Sequence, residues 1–125
     1  MMKNSQEISP AKALALIKKG ALLVDVREPK EVSKKSFDVS NVLQIPLREL
    51  KTRFQEIPVD RKVVIACHVG NRGMVATRFL VNNGYSRVVN MQHGIAGWEK
   101  EGLPVKKELK PATGSWFRKL FSRMS

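Results

Sequence analysis

The chain has 125 residues, 42% of them hydrophobic, a net charge of +12 and one cysteine. That length fits one ordinary domain, and the longest apolar runs, residues 21–24 and 63–67, are far too short to span a membrane. One cysteine excludes an internal disulfide and, with two histidines and no CxxC pair, a structural zinc site.

Taken in chain order, "ISPAKALALIKKG" reads as a helix, with Ser9 as cap, Pro10 at the first helical position and Gly20 as its stop. Ala11, Leu14, Ala15 and Lys18 recur at helical spacing, and Leu14 and Ile17 are the expected inward anchors. "ALLVDVR" (21–27) is a continuous apolar run, the pattern of a strand buried on both faces. "EPKEVSKKSFDVSN" reads as loop, with a short helix starting at Pro29, and "VLQIP" (42–46) as a second strand. Leu47, Leu50, Phe54 and Ile57 predict one helix over 47–57, ended by Pro58.

"KVVIAC" (62–67) is the strongest strand, β-branched and apolar throughout. "NRGMVATRFLVNNG" follows as a helix stopped by Gly84, with Met74, Val75, Arg78, Phe79 and Leu80 keeping its period. "SRVVNM" (86–91) is a further short strand and "GIAGWEKEG" (94–102) a short helix. Strands alternating with helices predict an α/β fold around a parallel sheet covered on both faces. Beyond it, "KKELKPATGS" reads as a linker, and in "SWFRKLFSRMS" the residues Trp116, Phe117, Leu120, Phe121 and Met124 make one apolar helical face. Residues 105–125 carry +5 of the net charge.

Cys67 ends a predicted strand just before a helix, where ligands of open α/β sheets bind. The amides of residues 67–72 and the helix N-terminus together form an anion-binding nest. Gly70 and Gly73 are expected to supply positive φ, and Arg72 a fixed cation. Such surroundings lower a thiol pKa from about 8.5 to roughly 3.5–7.5, producing a nucleophilic thiolate. The competing reading is a buried structural cysteine, a common role for the residue.

With those residues in view, "LLVDVREPKE", "IPLRELKTRF", "VVIACHVGNRG" and "NNGYSRVVNMQHGIAGWEKEGLPV" together resemble a single-domain rhodanese from about Ile8 to Val105. The resemblance implies a rhodanese-like three-layer α/β/α fold with a central parallel five-stranded sheet. The domain is expected over residues 1–105, with 106–125, by their charge and periodicity, as a basic linker and short amphipathic C-terminal helix. The resemblance implies a thiosulfate sulfurtransferase in which Cys67 carries sulfane sulfur as a persulfide. His68, Val69, Gly70, Asn71 and Arg72 would bind the substrate, and Asp25 and Arg27 would support the loop as an ion pair. Trp98 matches the family's helical tryptophan and is expected in the core. No metal or organic cofactor is implied; the partners are thiosulfate, persulfides, thiols and cyanide.

The chain departs from the family at four places. His68 stands where Arg is usual, Gly73 where Ser or Thr is usual, and His93 replaces the first glycine of a GG pair. "SFDVSNV" replaces a "GHIPGA" segment. Cysteine-dependent phosphatases, one rival, use a loop one residue longer than the four residues between Cys67 and Arg72. The other rival is a binding or regulatory module on the same fold, to which His68 and the altered 36–42 loop leave room. Residues 115–124 are expected to dock on the domain itself or to meet a partner protein or second copy; an anionic membrane surface is a weaker candidate for so short a helix. No nucleic acid is expected, since the charge comes without a stacking module. The polar start "MMKNSQEISP" has no apolar core of a secretory leader. With the single cysteine this predicts a reducing, cytoplasmic compartment.

Overall fold

The computed structural model describes residues 6–108. Its elements are β1 (Glu7–Ile8), α1 (Pro10–Lys18), β2 (Leu22–Asp25), α2 (Pro29–Lys34), β3 (Lys35–Phe37), β4 (Val42–Gln44), α3 (Leu50–Arg53), β5 (Val63–Ala66), α4 (Asn71–Asn82), β6 (Val88–Met91), α5 (Gly94–Lys100) and β7 (Val105–Lys107). Five strands form one sheet in the order β1-β6-β5-β2-β4, all parallel. Parallel neighbours need crossovers, and the helices supply them on both faces.

Successive strand residues point to opposite faces, so each apolar run feeds two cores. Leu22, Val24, Val63 and Ile65 pack with Leu50, Ala76 and Leu80 of α3 and α4. Leu23, Val64, Ala66, Val89 and Met91 pack with Ala13, Ile17, Ile95 and Trp98 of α1 and α5. The result is the three-layer α/β/α arrangement expected. Trp98 is fully buried, donates its Nε1–H to the Pro104 carbonyl at 2.7 Å and meets Phe37 edge-on at 5.1 Å.

Ser9 caps α1 as expected, its Oγ accepting from Lys12 N–H. The inward residues of α1 are Pro10, Ala13 and Ile17; Leu14 is only half-buried, and Ala11 and Ala15 are exposed. Segment 47–57 is not one helix: 3₁₀ turns at Leu47–Glu49 and Phe54–Glu56 flank the four residues of α3. Leu50 and Ile57 are its fully buried anchors, and the single Tyr85 O–H is shared between the Phe54 and Ile57 carbonyls, 2.8 and 2.5 Å away. In α4 the buried face is Gly73, Ala76, Thr77 and Leu80, while Val75 is 53% exposed.

Three strands were not expected. β1 has two residues, and β3 with β7 forms a separate antiparallel pair with Phe37 opposite Val105. Lys106 and Lys107, read as linker, therefore lie in a strand. The expected amphipathic helix of residues 115–124 falls outside the described residues. Among the described residues no helix is long and apolar enough to cross a membrane.

Candidate active site

β5 delivers Cys67 to the carboxyl end of the sheet, beside β2 and β6. The side chain is buried, 1% exposed, and its Sγ accepts two main-chain N–H bonds, from Gly70 at 3.0 Å and Gly73 at 3.2 Å. The turn is made possible by Gly70, whose φ of 113° opens α4. The expected loop is shorter than 67–72, because Asn71 and Arg72 already belong to the first turn of α4.

The other wall of the loop is α5. Ile95 N–H donates to the Cys67 carbonyl at 2.8 Å and Ala96 N–H to the His68 carbonyl at 3.0 Å. This approach requires Gly94, where a Cβ would lie 2.2 Å from the Cys67 oxygen. His93 precedes it with φ 64°, exposed, and lines a cleft of about 610 Å³ with Val69, Ala96, Gly97 and Lys100. His68, Val69 and Asn71 are exposed at the mouth.

The cations near the sulfur are committed to carboxylates. Arg27 and Asp25 form a buried ion pair, 3% and 1% exposed, with Nη2–Oδ2 at 2.7 Å and Nε–Oδ1 at 3.0 Å. Arg27 also lies 5.5 Å from the centre of the Phe37 ring. Arg72 binds Glu31 of α2 through two parallel bonds of 2.7 and 2.8 Å. That contact holds the Glu31 carboxyl down from 4.5 to about 2 and raises the Arg72 guanidinium, which the Cys67 and Asp25 charges raise further. Glu31 escaped the sequence reading because it lies 41 residues from Arg72 in the chain; its place in "EPKE" gave no sign of the partner.

Gly73 serves another purpose than expected. It has helical backbone, and its missing side chain makes room for Asn90. A Cβ there would stand 2.1 Å from Asn90 Oδ1 and 3.7 Å from Cys67 Sγ. The fully buried Asn90 donates through Nδ2 to the Gly70 carbonyl and to Glu7 Oε2, both at 3.3 Å. Its Oδ1 is the one buried side-chain polar atom without a hydrogen-bond partner among the described residues. A lone Asn inside the apolar "VVNM" was the available signal for it. Among the described residues no group of three or more metal-ligating side chains occurs.

Two outcomes test this geometry. The folded Glu31 pKa lies below 4.5, so its contribution to stability is complete above that pH and disappears as pH falls toward 2. Glu31 and Arg72 are 33% and 35% exposed, so Glu31→Gln should cost about 1 kcal/mol or less at neutral pH. The gap to wild type should close between pH 4.5 and 2 in urea unfolding curves. Gly73→Ala should destabilise by about 1–3 kcal/mol through overpacking against Asn90. In an Asn90→Ala background the same change should cost nothing, as a double-mutant cycle will read.

Known proteins share this architecture. A family model described as a rhodanese-like domain matches residues 9–101. A sulfurtransferase of Allochromatium vinosum is 42% identical over 84 residues, covering 67% of this chain and 77% of that protein. Thiosulfate sulfurtransferase GlpE of Actinobacillus pleuropneumoniae serotype 5b is 31% identical over 112 residues, covering 85% and 97%. The crystal structure of a rhodanese-related protein from Thermoplasma volcanium superposes with a TM-score of 0.73 at 33% identity, covering 81% of this chain and 97% of that one. Relatives named sulfurtransferase at these identities support a role of that type. By this match and by the fold around Cys67, the chain belongs to the rhodanese-like domain family.

Proposed function

We propose that the protein is a sulfurtransferase that moves sulfane sulfur from thiosulfate or a persulfide to a thiol or cyanide, through a persulfide on Cys67. The observation that carries this reading is the pair of main-chain N–H groups from Gly70 and Gly73 aimed at Sγ. Fixed donors of this kind stabilise sulfur anions without having to reorganise during the reaction.

In the first half-reaction the Cys67 thiolate attacks the outer sulfur of thiosulfate. The new bond is Sγ–S, the broken bond is the S–S bond of thiosulfate, and sulfite leaves with the electron pair. In the second, an acceptor thiolate attacks the outer sulfur of the Cys67 persulfide, takes it as its own persulfide and returns Cys67 as thiolate; cyanide leaves as thiocyanate. No proton, metal or redox partner enters either balance. Residues 68–72 would bind the incoming anion beside the Gly70 and Gly73 amides that hold the sulfur, with Arg72 as a cation partly neutralised by Glu31. Asp25 and Arg27, which direct no free charge at the sulfur, act as a brace between β2 and α2: Arg27 Nη1 also donates to the Glu31 carbonyl at 3.5 Å.

Treating the protein with thiosulfate should add one sulfur atom to the mass of the peptide holding Cys67, and cyanide should remove it. Turnover with thiosulfate, glutathione persulfide and 3-mercaptopyruvate should fall to the uncatalysed level in Cys67→Ser for whichever donor is used. If no adduct forms and wild type equals Cys67→Ser for all three donors, while iodoacetamide still alkylates Cys67, the domain is a binding module. His68→Arg places a permanent charge at the exposed mouth. It should raise kcat/KM for thiosulfate by about two- to fivefold, the worth of one exposed charge pair, and added salt should erase the gain.

A further inference from the structure

At the pole of the sheet opposite Cys67, the start of β2 and the segments leading into β5 and β6 meet the end of α1. A cleft of about 670 Å³ opens there, and its polar lining is Lys19, Gly20, Asp60, Arg61, Lys62 and Arg87. Four of these residues are cations and one is a carboxylate. Arg61 precedes β5 and Cys67 follows it, six residues apart, or about 20 Å for extended chain. The cleft is therefore separate from the sulfur site.

Two of its cations, Arg61 and Arg87, are held by main-chain carbonyls and not by carboxylates. Leu22 N–H donates to the Lys62 carbonyl at 2.9 Å and Val63 N–H to the Arg87 carbonyl at 2.8 Å, so both residues continue the parallel ladder. Arg61 Nε donates to the Gly20 carbonyl at 2.9 Å, and Arg87 Nη1 to the Asp60 main-chain carbonyl at 2.8 Å. A carbonyl fixes the direction of a guanidinium and leaves its charge and its remaining N–H groups in place. Seven other cations, Arg27, Arg48, Arg53, Arg72, Lys35, Lys106 and Lys107, are each paired with a carboxylate, and the remaining unpaired ones among the described residues, Arg78 included, are not part of this lining. Among the described residues none of the four cleft cations is so paired, and residues 1–5 and 109–125 contain no Asp or Glu.

We propose that this cleft binds a small polyanion with adjacent phosphoryl groups. Its volume lies within the range of small-molecule sites, and its charged lining suits a polar ligand. Guanidinium forks match phosphoryl oxygens two at a time. Four cations against one carboxylate call for more than a single negative charge.

The test is a titration of the full chain with pyrophosphate at constant ionic strength, followed by backbone amide NMR, with sodium chloride as the control. The expected result is saturable shifts at Gly20, Arg61, Lys62 and Arg87, absent with chloride. Arg61→Gln and Arg87→Gln should each weaken binding about tenfold, the worth of a charged hydrogen bond. Arg78→Gln, an exposed cation on α4, should leave it unchanged. Should an arginine variant misfold, Lys62→Gln reads the same loss, since its main-chain bond to Leu22 survives. Shifts that do not saturate, shifts confined to residues 68–73, or an unchanged Kd in the variants would each overturn the proposal.

Discussion

The carbonyls of Cys67 and His68 receive the first N–H groups of α5, and the organisation of the site depends on that contact. It pins the strand end from one side while α4 approaches from the other. The main chain after Cys67 is thereby held between two helices of opposite layers. The N–H groups of Gly70 and Gly73 are then directed to the sulfur. Gly94 is the steric condition for this arrangement: any Cβ there would collide with the strand end it caps.

Charge around the sulfur is more balanced than the +12 of the chain suggests. Arg27 is consumed by Asp25 inside the protein, a pair that costs desolvation and is tolerated because its geometry is bidentate. Arg72 is consumed by Glu31, also through two bonds. The donors left for an anionic ligand are mainly those of the backbone, whose direction is set by the fold and does not titrate. Four cations without a carboxylate partner among the described residues meet at the other pole of the sheet, where two arginines rest on carbonyls. The two poles thus differ in kind: one presents main-chain dipoles around a nucleophile, the other fixed side-chain charge.

Much of the layout was legible along the chain. The runs 21–27 and 62–67 announce doubly buried strands because both faces of the sheet are covered, so no polar alternation interrupts them. Ser9-Pro10 announces α1 through local capping chemistry. What failed was of two kinds. The exposed Ala11 and Ala15 and the buried Ala13 show that small residues carry little periodic signal about which helix face turns inward. Segment 47–57 breaks into 3₁₀ turns around α3, and its end is tied to Tyr85, a residue far along the chain whose hydroxyl reaches the Phe54 and Ile57 carbonyls. β3 and β7 are three residues each, too short for any pattern, and exist because they pair with one another.

The sequence by itself determined the α/β class, the strand that carries Cys67, the glycine that turns the chain after it and the tight spacing to Arg72, since all of these follow from local pattern and chain stereochemistry. The tertiary structure alone decided that Arg72 is neutralised by Glu31, that Gly73 exists to admit Asn90 and that three separate segments gather cations at the far pole. Each of these joins residues distant in the chain through contacts made only once the sheet has assembled. No local periodicity records a partner that arrives from another layer.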